Sequence, residues 1–130
     1  MTKKLSKEMV LYDRDEKGEL IAQYRPLVIE EDNDLQKEFD GYEVAIIPMT
    51  RGETKRIFSD VLKKDDKDLD GELVIKYCKD PAFTEEEVKH AKPALVGAIV
   101  NTILKESGID VGSKTRKQAV KDAEDEFAKN

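Results

Sequence analysis

The spacing of apolar positions changes once along the chain, at Pro48. Before it, apolar residues come in short runs set apart by turn residues. Met9–Tyr12 and Leu20–Tyr24 flank the acidic stretch "DRDEKGE", which contains Gly18, and two short apolar runs around such a turn predict a β-hairpin closed by Pro26. "PLVIEE" (26–31) is a candidate further strand, and "EDNDLQKEFDG" (31–41) reads as a solvated acidic connector. "YEVAII" (42–47) predicts a strand, because β-branched and aromatic residues alternate there with smaller or polar ones.

After Pro48 the spacing becomes helical. In "PMTRGETKRIFSDVLKK", Ile57, Phe58, Val61 and Leu62 recur with helical period, and Thr50 and Glu53 stand in the relation of a capping box. Leu73, Val74, Tyr77 and Cys78 predict a shorter helix over about Gly71–Lys79, stopped by Asp80-Pro81. Thr84 and Glu87 form a second capping box, with Phe83 placed to staple onto Val88. Pro93 opens a last core helix in which Leu95, Val96, Ile99, Val100, Ile103 and Leu104 make one stripe, and Gly108 supplies a left-handed stop.

These elements predict an α+β fold: a small N-terminal antiparallel β layer, made of a hairpin plus one or two strands, packed with a C-terminal bundle of about four helices. Residues 1–8 are polar and read as disordered, 9–112 as a single domain, and 113–130 as a charged, helix-prone tail whose large apolar anchors are Val120 and Phe127.

Composition narrows the functional classes. The chain has 130 residues, enough for one modest core, which its 6% aromatic content and lack of Trp make aliphatic. A formal charge of −6 argues against nucleic acid, whose phosphates require a concentrated positive surface. The charged N-terminus lacks the apolar run of a signal peptide, and the longest apolar stretch, near Leu95–Leu104, is too short for a bilayer. With Cys78 as the one cysteine, an intrachain disulfide is excluded, and the expectation is a soluble cytoplasmic protein.

The sharpest chemical motif is "DKDLDGELVIKY" (66–77), in which Asp66, Asp68, Asp70, Gly71 and Leu73 match the first part of an EF-hand calcium loop. Its twelfth position is Tyr77, where a bidentate Glu is needed. The similar "DRDEKGELIAQY" (13–24) has Lys17 at position 5 and Tyr24 at 12, and lies between predicted strands rather than after a helix. The expectation is therefore no metal site, with Asp66, Asp68 and Asp70 as a weak calcium alternative and Asp70 otherwise a helix N-cap.

Cys78 reads as a small core residue and His90 as a surface residue, so no catalytic pair is expected. The acidic runs read as solvated helix faces, and "TRGETK" lacks the glycines and Lys-Ser/Thr ending of a phosphate loop. No catalytic residue and no cofactor is expected. The stripe on Leu95–Leu104 is wider than one neighbouring helix needs, which fits either a central core helix or a self-association face.

The order of features from "IIPMTRGETKRIF" to "YCKDPAFTEEEVKHAKPALVGAIVNTILKESGI", over about residues 42–109, resembles the tail assembly chaperones of long-tailed bacteriophages and prophages. The resemblance implies a non-enzymatic protein that coats the tape measure protein, keeps it soluble, helps recruit tail tube subunits, and is absent from the finished particle. Many such proteins also have a longer, frameshifted form. Apolar helical faces suit such a client, and Leu95, Ile99, Ile103, Val120 and Phe127 are the candidate partner or self-association contacts. The alternatives are a weak calcium-binding adaptor and a small structural tail or connector protein.

Overall fold

The computed structural model describes residues 3–63 and 69–109. In chain order the elements are α1 (Lys7–Val10), β1 (Gln23–Pro26), α2 (Asp34–Lys37), β2 (Glu43–Ile46), α3 (Arg51–Lys63), α4 (Leu69–Tyr77), β3 (Cys78–Asp80), α5 (Glu85–Lys89) and α6 (Pro93–Glu106). The architecture is α+β, with a three-stranded antiparallel sheet of order β1-β2-β3 against the helices.

β2 is central because both of its faces have something to bury. Val44 and Ile46 join Cys78 in the core, while Ala45 is buried on the opposite side. Tyr24, Ala45 and Asp80 lie in register across the three strands, and the Tyr24 hydroxyl donates to the Asp80 carboxylate across the central strand. Ala45 is the small residue between them. Ile46 faces Cys78 while Ala45 faces Asp80, so Lys79 is an extra residue that bulges the β3 edge. On the other edge Pro26 has no N–H to offer a further strand.

Two expectations for the β layer are corrected. The acidic turn forms: Asp15 accepts from the N–H groups of Lys17 and Glu19, Gly18 adopts φ 81°, and Arg14 bridges Leu20. Met9–Tyr12, however, is not its partner strand. Lys7–Val10 is one helical turn, and Met9, Val10 and Leu11 are exposed, so no buried face holds them to a sheet. "PLVIEE" is also not a strand beyond Pro26: Leu27 still donates to the Tyr42 carbonyl at 2.9 Å, but Val28 donates to Thr102 Oγ1 at 3.0 Å and Glu30 to Gln36 Oε1 at 2.7 Å, so the backbone leaves the sheet.

The connector contains the second surprise. Asn33 caps α2 by accepting from the Gln36 N–H, and Gln36 is 1% exposed. Its amide also donates to the Ala94 carbonyl at 2.8 Å, tying the connector to the first turn of α6. Most of the neighbouring acidic residues are exposed, as expected of a solvated stretch.

α6 is the centre of the core. Its residues Gly97 through Leu104 are all buried, which places neighbours on every side of the helix. It packs on α4 and α2, and its polar residues receive the surrounding loops: Thr102 holds Val28, Asn101 donates to Glu30, and Ser107 accepts from the Met49 N–H at 2.9 Å. It ends as predicted, in a Schellman motif: Ile109 donates to Leu104 and Gly108, at φ 81°, to Lys105. The Thr84–Glu87 capping box is present in full at the start of α5.

α4 starts at Leu69, earlier than the expected Gly71, so Asp70 sits inside its first turn rather than at the N-cap. It also ends earlier, at Tyr77, and the chain enters β3 before the cis Asp80–Pro81 peptide. Tyr77, Leu73 and Val74 are wholly buried. No helix among the described residues is long and apolar enough to cross a membrane.

Candidate functional site

The residues proposed from sequence as partner contacts divide sharply. Ile99 and Ile103 are 7% and 0% exposed and belong to the core, so a docking role for them is corrected: the folded chain does not present them. Leu95 is half-buried at the start of α6. Val120 and Phe127 lie outside the described residues, as do Asp66 and Asp68 of the calcium alternative. Asp70 lies on α4 beside the buried Leu69 and Gly71.

The two candidate nucleophile partners are not built as a pair. The Cys78 side chain is buried and donates to the Pro81 carbonyl at 3.2 Å. Burial pushes its thiol up to about 11, with the Asp80 carboxylate adding to the shift and a backbone hydrogen bond opposing it. His90 is exposed and engages Glu86, one turn earlier, at 3.0 Å.

A polar cluster joins α3 to α4. The Thr50 hydroxyl accepts from the Glu53 N–H at 3.3 Å and donates to its carboxylate at 3.1 Å. The other carboxylate oxygen accepts from the Tyr77 hydroxyl at 2.8 Å and faces Lys76 at 3.4 Å. Burial alone would raise the Glu53 carboxyl, but hydrogen bonds from Tyr77 and Thr50 and the Lys76 charge hold it below the ordinary glutamate value. Burial and the Glu53 carboxylate push the Tyr77 phenol upward. Every group in this cluster is partnered within it, and its role is to fasten two helices.

An exposed apolar run lies in the N-terminal segment. Leu5, Met9, Val10 and Leu11 are between 62% and 77% exposed and follow one another through α1. Beside them a cleft of about 340 Å³ runs between the N-terminal segment, β1 and the end of α6. Met9, Leu11, Tyr12, Leu20 and Ile21 form its apolar wall, with Ile46 and Pro48 at its base. Among the described residues, Glu8, Asp13 and Glu106 bring three carboxylates, against the cation Arg25, which pairs with Glu106 at 3.0 Å. Partial burial, and then the Glu106 carboxylate, raise the Tyr12 phenol.

Sequence reasoning missed this site because it placed Met9–Tyr12 in a strand, where alternate residues would have been covered. The signal available was the charge pattern: "KKLSKEMVLY" sets basic residues directly ahead of a compact apolar run. No protein-family model, curated protein or solved structure matches the chain.

Proposed function

We propose that the chain is a tail assembly chaperone of the kind encoded by long-tailed phages, which binds the tape measure protein and keeps it soluble while the tail is built. The observation that carries the reading is the exposed Leu5, Met9, Val10 and Leu11 beside a cleft with one apolar wall, on a chain in which 40% of residues are charged. A soluble protein that shelters an aggregation-prone helical client needs an apolar strip of this sort framed by charge. The order of strand, helix and capped helix starts over residues 42–109 supports the same assignment through its resemblance to that family. Residues Met9, Leu11 and Leu20 take the role first given to Ile99 and Ile103. The host cytoplasm is the compartment this role requires.

The test is co-expression with the tape measure protein encoded just downstream. The client becomes soluble and is captured with the chain. A client that stays insoluble, with no complex recovered, refutes the proposal.

A further inference from the structure

The cleft by α1 has a wall at the end of α6, and the chain that leaves α6 is suited to fill it. Glu106 lines the cleft, and Gly108, two residues on, takes a left-handed φ of 81°. Ile109 is the last residue described before the stretch 110–130. Four residues separate Ile109 from Lys114, and at about 3.3–3.6 Å per residue they can carry the following segment along a cleft that already includes Glu106.

Charge and pattern agree with this reach. The first half of the segment, "KTRKQAVK", contains Lys114, Arg116, Lys117 and Lys121 and no acid, the acids Asp122, Glu124, Asp125 and Glu126 all following it, whereas among the described residues the cleft holds Glu8, Asp13 and Glu106 against Arg25. From within that stretch onward, Val120, Ala123 and Phe127 recur at spacings of three and four, the period of one helical face. The basic first half is the complement of the cleft's carboxylates, and the spacing of Val120, Ala123 and Phe127 that of its apolar wall.

We propose that the cleft is the docking site of the chain's own segment 114–127, with its cations on the Glu8, Asp13 and Glu106 carboxylates and Val120 and Phe127 against Met9, Leu11 and Leu20. The docked segment covers part of the apolar strip in the absence of any other ligand. A partner using the same strip must displace it. This occupancy does not depend on which client the chain serves.

Hydrogen exchange on the full chain tests it. In Val120→Asp/Phe127→Asp, and separately in Lys114→Glu/Arg116→Glu/Lys117→Glu, amides of residues 8–12 and 20–23 exchange about tenfold faster than in the parent chain, while those of Val100 and Ile103 keep their protection. The protection in the parent is independent of protein concentration. Unchanged exchange at 8–12 and 20–23 in both variants overturns the proposal. So does protection that falls on dilution, which assigns the cleft to a second copy. Loss of protection at Val100 in one variant leaves the other to decide.

Discussion

The Tyr77 hydroxyl donates to the Glu53 carboxylate at 2.8 Å, joining the end of α4 to the first turn of α3. Because the folded chain holds the Glu53 carboxyl below its ordinary value of 4.5, ionised Glu53 stabilises the fold. The contribution is complete above that value and is lost as pH falls through it toward the lower folded value. The stability difference between the parent chain and Glu53→Gln, measured by urea unfolding, therefore shrinks between about pH 6 and pH 3. A difference that grows on acidification would contradict the assignment. Tyr77→Phe, which removes the donor from this part-buried carboxylate, costs about 1 kcal/mol at neutral pH.

Substitutions should separate the core stripe from the exposed strip. Ile103→Ala empties a fully buried position and lowers unfolding free energy by about 3 kcal/mol. Leu11→Asp changes stability by less than about 0.5 kcal/mol, since the side chain is already largely in water, yet weakens client capture. If Leu11→Asp captures the client as well as the parent does, the α1 strip is not the binding surface.

Gln36 carries a connector that looks dispensable. Gln36→Leu keeps its approximate size but leaves the Glu30 N–H and the Ala94 carbonyl without their partner, at a cost of about 2 kcal/mol. Denaturant titration reads this directly, and a midpoint equal to the parent's would mean that water replaces both bonds.

The Cys78 thiol should be slow toward disulfide reagents in the native chain. At about 11 against an ordinary 9.0, its thiolate fraction near neutral pH is lower by about a hundredfold, and the 1% exposure of the residue restricts access further. Labelling kinetics with and without denaturant measure the ratio. Equal rates in the two states would place Cys78 outside the core.

The elements that the sequence announced were those with their own local signals. Thr84 and Glu87 cap each other whatever surrounds them, Gly108 takes the left-handed conformation that a helix stop requires, and the α6 stripe has one period throughout. What was not legible depended on distant partners. Val28 and Ile29 have the composition of a strand, but the N–H groups of Val28 and Glu30 meet side chains of Thr102 and Gln36, so the pairing goes no further than Leu27. Cys78 has helical spacing from Val74, yet it pairs with Ile46 across a bulge. The candidate site followed the same rule. The width of the α6 stripe favours a central helix but fits a docking face too, and only the surrounding elements show that Ile99 and Ile103 are enclosed.

The position of α6 also bears on how the chain is made. Every other described element precedes it, and the loops at Val28, Glu30 and Met49 are fastened to side chains it supplies. During synthesis the sheet and α4 thus emerge with their inner faces uncovered until Pro93–Glu106 has left the ribosome. Completion of the core is a late event, and a nascent chain stalled before α6 exposes Val44, Ile46, Leu73 and Val74 to the quality-control machinery of the cell that makes it.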